Sequence, residues 1–277
     1  MHRHTNAVPS ALPSEALAPL RSNPSRSAVL LDIDGTLASI VENAAAAHVP
    51  EATRQLLIRI ARRYQLVACV SGRQASDARA MVSIGSITYL GSHGAELLRA
   101  GWTEAAIDPA LGDWSRRIHE FGREAETADL RRLRIRLEDK GPIIAFHWRG
   151  APDKDAARAA IDAIAARAEA AGLRTHWGRK VLEVRPPVRI DKGVGIESFL
   201  SGLDLDAALY VGDDATDLDA FRALGRLVEA GHLEQAIRVG VRSDEGPTEI
   251  ISEADIVVDG TSGVRELLAT LVADDPE

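Results

Sequence analysis

The stretch Ala28-Val29-Leu30-Leu31-Asp32-Ile33-Asp34-Gly35-Thr36-Leu37 decides the fold of this chain. Its apolar start predicts a short buried strand, and Gly35 and Thr36 predict a turn directly after the two acids. Side chains alternate faces along a strand, so Asp32 and Asp34 leave the same face of the chain. The pattern therefore directs two carboxylates to one point. Asp-Gly beside Thr is also ordinary turn chemistry, so the pair alone could be structural or a stray cation site.

Strands and helices alternate on both sides of this stretch. Apolar residues at helical spacing predict a helix that begins at Pro50-Glu51, and apolar runs predict strands at 65–70 and 207–211. Polar residues follow both strands, Ser71-Gly72-Arg73 after the first and Gly212-Asp213-Asp214 after the second. This alternation predicts an α/β fold, a Rossmann-like doubly wound parallel sheet whose ligands bind beyond the carboxyl ends of its strands.

A different pattern runs from residue 93 to residue 187. Helices are predicted over about 109–127 and 153–171, and strands over 133–137, 143–148, near Thr175 and over 181–184. The turn Lys140-Gly141-Pro142 between two of these strands indicates antiparallel pairing. Gly91-Ser92-His93-Gly94 is expected to form a flexible connection before this segment. We therefore expect three parts: a mobile N-terminal arm (1–27), an α/β core (28–92 and 188–277) and an inserted α+β segment (93–187).

Composition limits the classes of function. The chain has 277 residues, 45% of them hydrophobic, and a net charge of -8, which argues against a nucleic-acid or anionic-membrane binder. No stretch reaches the roughly 18 consecutive apolar residues of a transmembrane helix, and the first thirty residues lack a signal-peptide core. We expect a cytoplasmic monomer whose partner is a small molecule. Cys69 is the only cysteine and is expected to lie in the core.

Four motifs occur in an order that a known family shares. They are Asp32-x-Asp34-Gly-Thr-Leu, Ser71-Gly72-Arg73, Lys192 and Gly212-Asp213-Asp214-x-x-Asp217. With this order the chain resembles the haloacid-dehalogenase-like (HAD) phosphatases. The resemblance implies that residues 28–92 and 188–277 form the catalytic core and that the insert, 93–187, is a cap domain that chooses the substrate. The resemblance implies that Asp32 is the nucleophile, which takes the phosphoryl group as an aspartyl phosphate. It also implies that Asp34 first protonates the leaving oxygen and then activates water as a base.

The same resemblance assigns roles to the other motif residues. The phosphate-binding residues that it implies are Thr36, Ser71, Gly72 and Lys192. Lys192 also counts as catalytic, because it compensates charge on the nucleophile and the phosphoryl oxygens. Ordinary alternatives remain open for two of these residues. Ser71-Gly72 could be a simple turn, and Lys192 could be a solvated lysine at a helix start, although a cation there opposes the helix dipole.

Magnesium is the cofactor that the acidic motifs imply. The implied ligands are Asp32, Asp34, Asp213, Asp214 and Asp217. Several carboxylates without His or Cys nearby form a hard oxygen site, which suits Mg2+ better than Zn2+. Asp217 could instead be an acid in the first turn of a helix, where the dipole favours it. Whether Asp214 or Asp217 contacts the metal directly stays open at this point.

Within the superfamily the chain resembles the trehalose-6-phosphate phosphatases, from about residue 28 to its end. The resemblance rests on the following segments: Gly91-Ser92-His93-Gly94-Ala95-Glu96, Glu138-x-Lys140, His147-Trp148-Arg149 and Gly178-x-x-Val181-x-Glu183-x-Arg185-Pro186. It implies a Mg-dependent hydrolysis of trehalose 6-phosphate to trehalose and phosphate. The sugar contacts that it implies are Glu138, Lys140, Arg179 and Glu183. Charged side chains suit a disaccharide, which offers only hydroxyls.

Alternatives to this substrate also remain. By pattern alone, Glu138 and Lys140 would be the solvated end of a hairpin. The family's lysine after Gly178 is Arg179 here, with Lys180 beside it, so one sugar contact is changed. A related sugar phosphatase would share the core and differ only in the cap; its substrates would be glucosyl- or mannosyl-glycerate phosphates or a trehalose-like pseudosugar phosphate. A non-catalytic sugar-phosphate sensor is the third hypothesis.

Overall fold

A computed structural model describes residues 15–40, 47–243 and 246–273 of the chain. The α-helices of these residues are, in chain order, α1 (Ala18–Ser22), α2 (Glu51–Arg63), α3 (Ala75–Val82), α4 (Gly112–Ala125), α5 (Ala128–Arg132), α6 (Lys154–Ala170), α7 (Lys192–Leu200), α8 (Asp217–Glu229), α9 (Thr248–Ser252) and α10 (Gly260–Thr270). The strands are β1 (Ser27–Leu31), β2 (Leu66–Val70), β3 (Thr88–Gly91), β4 (Glu96–Leu98), β5 (Ala106–Ile107), β6 (Arg136–Asp139), β7 (Ile144–His147), β8 (Arg174–Gly178), β9 (Val181–Arg185), β10 (Ala207–Gly212), β11 (Gln235–Arg242) and β12 (Ile256–Asp259).

The chain divides into two compact units, Met1–Val67 with Leu203–Glu277 and Ala68–Gly202. The first unit is built on a parallel sheet whose strands lie in the order β12, β11, β10, β1. Every residue of β1 and β10 is buried, as expected for strands covered on both faces. Leu31 pairs with Val211, so the two strands end side by side. The predicted α/β class with a parallel sheet is confirmed.

The start of the described chain differs from the mobile arm that the sequence predicts for residues 1–27. Leu17 and Leu20 are fully buried, α1 is a helix, and β1 already begins at Ser27. The two leucines are three residues apart, so they lie on one face of the short helix and can be buried together. The arm prediction is therefore wrong for residues 15–27, and residues 1–14 lie outside the described part.

The second unit contains two sheets. In the first sheet β2 and β3 are parallel, and β4 and β5 continue it in antiparallel pairing. The second is an antiparallel sheet in the order β6, β7, β9, β8, which is the α+β pattern predicted for the cap. A cluster of buried apolar residues joins one face of this sheet to α4 and α6; it includes Ile118, Phe146, Ile161 and Leu182. The predicted cap boundaries at 93 and 187 stay a prediction.

Two local predictions in the second unit need correction. The strand predicted over 133–137 begins only at Arg136, because the short helix α5 ends at Arg132 and a turn follows it. Thr127 caps α5 by accepting a hydrogen bond from the Leu130 N–H at 3.4 Å. The segment Gly91–Gly94 is not a loose connection: Ser92 is fully buried, and Ser92 and His93 form a turn with positive φ values. Cys69 is buried as predicted. Within the described ranges, no helix combines the length and the apolar character needed to cross a membrane.

Candidate active site

Three buried carboxylates meet in the first unit. Asp32 follows β1 and Asp213 follows β10, and the Asp32 N–H donates to the Val211 carbonyl at 2.9 Å. Asp217 is the first residue of α8. One carboxylate oxygen from each acid lies within 4.8 Å of the others, and the three residues are 4%, 3% and 0% exposed. The parallel pairing of β1 with β10 thus brings together acids that are 181 positions apart, from residue 32 to residue 213.

Two glycines leave room for these carboxylates. A Cβ on Gly35 would lie 2.1 Å from Asp213 Oδ2, and Gly35 also has a φ of +89°, which only glycine adopts at no steric cost. A Cβ on Gly212 would lie 2.3 Å from Asp217 Cγ. Thr36 donates from its hydroxyl to Asp213 Oδ1 at 3.2 Å. The Asp-Gly-Thr turn that the sequence predicts therefore packs directly on Asp213, the acid that follows β10.

Asp217 holds the loop that carries the other acids of its motif. Its Oδ2 accepts hydrogen bonds from the Asp213 and Asp214 N–H groups, both at 2.9 Å. Its Oδ1 accepts from the hydroxyl of Tyr210 at 2.6 Å. Burial, followed by the charges of Asp217, Asp32 and Asp213, raises the Tyr210 pKa well above its ordinary value, so this hydroxyl stays a donor. Sequence reasoning missed Tyr210, because an apolar strand with one Tyr is typical of any core.

The chemistry of this donor set fits a hard cation. Three buried carboxylates repel one another unless a positive charge lies between them, and oxygen-only ligands suit Mg2+. Two other predicted ligands lie outside the three-acid group: Asp34 is only partly buried, and Asp214 is exposed and accepts from the Ala215 N–H at 2.6 Å. Among the residues that the structure describes, Asp32, Asp213 and Asp217 could hold a metal ion.

The predicted phosphate-binding residues Ser71 and Lys192 are both buried in the second unit. Ser71 directly follows β2, is 1% exposed, and accepts from the Arg73 N–H through its hydroxyl at 3.1 Å. Lys192 is the first residue of α7 and is 3% exposed. The solvated alternative for Lys192 is therefore wrong. The role of Lys192 in binding phosphate stays a prediction.

The predicted sugar contacts Lys140 and Glu183 form a partly buried ion pair. Lys140 Nζ lies 3.1 Å from Glu183 Oε1, and Arg185 Nε donates to Glu183 Oε2 at 3.0 Å. Burial opposes ionisation of Glu183, but the charges and hydrogen bonds of Lys140 and Arg185 prevail and lower its pKa to about 2. Glu183 is therefore a fixed anion, and Lys140 is not the solvated hairpin end that its sequence pattern alone would favour.

Glu138 lies on the same face of the cap sheet as Glu183. Both residues pair in register with Ala145 of β7, which lies between them, so their side chains leave the same face. His147 Nε2 lies 2.5 Å from Glu138 Oε2, and this hydrogen bond, opposed by burial, lowers the Glu138 pKa. This face is polar, whereas Phe146 and Leu182 occupy the face that packs on α4 and α6.

The turn between β8 and β9 consists of two basic residues, Arg179 and Lys180, which differ in their surroundings. Lys180 has a φ of +65°, and its ammonium lies over the ring of Trp148, 4.2 Å from the centroid. Arg179 is exposed. Lys180 is thus engaged in a cation–π contact. The role of Arg179 as a sugar contact stays a prediction.

Comparison with known sequences identifies the family. The sequence profile described as trehalose-phosphatase matches residues 30–260. A trehalose-phosphate phosphatase of Mycobacterium marinum is 36% identical over 244 residues, which cover 80% of this chain and 57% of that protein. A probable trehalose-phosphate phosphatase D of Arabidopsis thaliana is 32% identical over 215 residues, with 71% and 56% covered. An uncharacterized glycosyl hydrolase of Mycobacterium tuberculosis is 35% identical over 213 residues, with 72% and 15% covered. The chain thus spans only part of the length of these relatives.

Comparison with solved structures identifies the fold. The trehalose-6-phosphate phosphatase C-terminal domain of C. albicans superposes with a TM-score of 0.66 at 21% identity, covering 97% of this chain and 99% of that one. A haloacid dehalogenase-like hydrolase from Bacteroides thetaiotaomicron gives a TM-score of 0.60 at 16% identity, covering 87% and 98%. These superpositions show a shared HAD fold. The profile match over residues 30–260, most of the chain, establishes that the chain belongs to the trehalose-phosphatase family.

Proposed function

We propose that this chain is a Mg-dependent phosphatase that hydrolyses trehalose 6-phosphate to trehalose and inorganic phosphate. The observation that carries the proposal is the buried group of Asp32, Asp213 and Asp217, found in a chain of the trehalose-phosphatase family. Relatives at 32% and 36% identity bear the name trehalose-phosphate phosphatase, which supports this substrate.

Asp32 is proposed to act as the nucleophile. Its carboxylate oxygen forms a bond to phosphorus while the bond from phosphorus to the sugar oxygen breaks, and Asp34 gives that oxygen its proton. Asp34 then takes a proton from water, whose oxygen attacks phosphorus and frees Asp32 with release of phosphate. One group can serve as acid and then base because the second step reverses the proton flow of the first.

Asp32, Asp213 and Asp217 are the residues that would hold the metal, and Asp34 and Asp214 complete the ligand set implied by the motifs. Bound Mg2+ would supply positive charge that offsets repulsion between a carboxylate and an anionic phosphate. Asp217 contributes through its hydrogen bonds to the Asp213 and Asp214 N–H groups, which fix the loop that presents Asp213. The glycines at 35 and 212 allow this close packing.

The remaining motif residues are proposed to bind the two ends of the substrate. Phosphate is bound by Thr36, Ser71, Gly72 and Lys192, and the sugar is bound by Glu138, Lys140, Arg179 and Glu183. The ion pair between Lys140 and Glu183 supports the second assignment, because two charged groups already held in place lose little freedom when they bind hydroxyls.

A related sugar phosphatase is the second candidate function. The residues of the β8–β9 turn support it. Lys180 is held over Trp148, and Arg179 replaces the family's lysine, so the sugar end of the site departs from the family pattern. The alternative substrates are glucosyl- or mannosyl-glycerate phosphates and a trehalose-like pseudosugar phosphate. A non-catalytic sensor would release phosphate from none of them.

Phosphate release from a panel of sugar phosphates tests the proposal. The purified chain is assayed with trehalose 6-phosphate, the alternative sugar phosphates and p-nitrophenyl phosphate, each with Mg2+, with Zn2+ or with EDTA. We expect the highest kcat/KM on trehalose 6-phosphate with Mg2+ and loss of activity in EDTA. Full activity in chelator would contradict the metal requirement. A preference for another sugar phosphate would favour the second candidate, and no release from any sugar phosphate would favour the sensor.

A further inference from the structure

The segment Gly91–Gly94 carries a residue that the motifs leave without a role, His93. Ser92 and His93 both have positive φ values, 49° and 59°, which is unusual for residues with side chains. The Ser92 N–H donates to the Arg73 carbonyl at 2.7 Å, and the His93 N–H donates to the Ser71 carbonyl at 3.0 Å. The backbone of His93 is therefore bonded directly to the phosphate-binding motif after β2.

Other contacts hold Ser92 and His93 in this unfavourable backbone conformation. The Ser92 hydroxyl donates to the Lys140 carbonyl at 2.8 Å. A Cβ on Gly94 would lie 2.8 Å from the Cα of Gly195 in α7, the helix that begins with Lys192. Backbone strain of this kind persists where surrounding contacts impose it, often at functional sites. The strain here places the imidazole of His93.

The His93 ring packs on one predicted phosphate-binding residue and feels the charges of Lys192 and of the predicted sugar contacts Glu183 and Lys140. A Cβ on Gly72 would lie 2.8 Å from His93 Cε1 and 2.9 Å from Nε2, so the ring edge packs on the residue after Ser71. Burial is the main cause that lowers the His93 pKa to about 4. Lys192, Arg185 and Lys140 lower it further, and Glu183 opposes them. These charges come from α7, from β9 and from the turn after β6. His93 is therefore a neutral imidazole at neutral pH.

Neither ring nitrogen of His93 forms a hydrogen bond with a group in the part of the chain that the structure describes. A neutral imidazole has one N–H donor and one acceptor nitrogen. A sugar hydroxyl can both donate and accept, so it matches this pair. Three nearby cations disfavour protonation of the ring, which preserves the acceptor nitrogen.

We propose that His93 is a substrate-contacting residue that hydrogen-bonds a sugar hydroxyl close to the phosphate ester. The proposal deepens the proposed function and rests on it, because it requires a phosphorylated sugar that reaches from Ser71 and Lys192 to Glu183 and Lys140. The ligand class that His93 selects is a sugar phosphate, as opposed to a phosphate monoester without hydroxyls.

Two variants test the contact without forcing the backbone out of its conformation. His93→Asn and His93→Gly both tolerate a positive φ, whereas other residues would add strain. Ser83→Asn is the matched control, because Ser83 has the same φ of 59° but is exposed at the end of α3. We expect both His93 variants to lose about 10- to 100-fold in kcat/KM on the preferred sugar phosphate. Turnover of p-nitrophenyl phosphate should stay within about threefold of wild type, and Ser83→Asn should match wild type on both substrates.

An equal loss on both substrates, or no loss on the sugar phosphate, would overturn the role of His93. The wild-type panel separates this outcome from failure of the proposed function, since the variants are measured on whichever sugar phosphate the wild type prefers. If the wild type releases no phosphate, the phosphatase proposal fails. Calorimetric binding of trehalose 6-phosphate to Asp32→Asn and to Asp32→Asn/His93→Asn then tests the contact alone. Weaker binding by the double variant supports it, and equal affinity or no binding overturns it.

Discussion

At the scale of single residues, a buried tyrosine hydroxyl supports the acidic group. The Tyr210 hydroxyl lies 2.6 Å from Asp217 Oδ1, and Asp217 in turn holds the Asp213 and Asp214 N–H groups. Its ring packs edge-on against Phe221 with the centroids 6.1 Å apart, which fixes the direction of the hydroxyl. Tyr210 is therefore a positioning residue for the carboxylates.

Tyr210→Phe should destabilise the fold by about 1–3 kcal/mol, because it leaves a buried carboxylate oxygen without its donor. Tyr89→Phe is the matched control, since the Tyr89 hydroxyl is also buried and donates to the Ile84 carbonyl at 2.6 Å. Urea unfolding should show a loss in both variants. Only Tyr210→Phe should raise the Mg2+ concentration needed for half-maximal phosphate release. An equal Mg2+ requirement in the two variants would contradict a positioning role.

His93 should also make stability depend on pH. The unfolded chain binds a proton at His93 below its ordinary pKa of 6.5, but the folded chain does so only near 4. The free energy of unfolding therefore falls as pH drops through this window. Between pH 7 and pH 5 the wild type should lose about 1–2 kcal/mol more than His93→Asn in urea unfolding. Glu183 has a pKa of about 2 against an ordinary 4.5, so its effect on the free energy of unfolding appears only at lower pH. Parallel losses in both proteins would contradict a neutral, partly buried His93 in the folded chain.

At the scale of elements, the junction between β10 and α8 depends on one small residue. A Cβ on Gly212 would lie 2.3 Å from Asp217 Cγ, whereas a Cβ on Gly225 within α8 would meet nothing within 4 Å. Gly212→Ala should cost about 1–3 kcal/mol of unfolding free energy and lower Mg-dependent phosphate release. Gly225→Ala should stabilise by about 0.5–1 kcal/mol with unchanged activity. Urea unfolding and phosphate release on both variants check this pair, and a stable, active Gly212→Ala enzyme would argue against the tight junction.

The cap sheet provides a second test at this scale. If Glu138 and Glu183 bind sugar hydroxyls, then Glu138→Ala and Glu183→Ala should each lose about 30- to 1000-fold in kcat/KM on trehalose 6-phosphate. Both should keep their slow turnover of p-nitrophenyl phosphate, which has no sugar. Lys192→Ala is the comparison variant and should lose activity on both substrates. Equal losses by the two glutamate variants on both substrates, in folded protein, would show that they support structure or catalysis instead.

The elements that the sequence predicted well are those with strong local patterns. Strands β1, β2 and β10 are continuous apolar runs, and α6 is capped by Asp153 at the position where the pattern begins. Short elements were not predicted: α5 and α1 have five residues each, and Leu20 is the buried residue of α1. Local periodicity carries little information over such lengths, because tertiary burial decides whether they form.

At the scale of the whole molecule, the motif order gave the family and the expected residues, but not how the chain holds them. The sequence placed Asp32, Asp213 and Asp217 together, and the pairing of β1 with β10 brings them within reach. It did not reveal the Tyr210 hydrogen bond, the positive φ of His93 or the ion pairs of Glu183. Each of these depends on residues that only the folded chain brings together.

The central claim is that Asp32 carries the phosphoryl group, and one variant tests it most directly. Asp32→Asn keeps nearly the same shape but removes the nucleophilic carboxylate, so kcat on trehalose 6-phosphate with Mg2+ should fall by at least about 1000-fold in folded protein. Steady-state phosphate release by highly purified Asp32→Asn, compared with wild type prepared in parallel, gives this ratio. A kcat within a few-fold of wild type would contradict the account and assign the nucleophile to another residue.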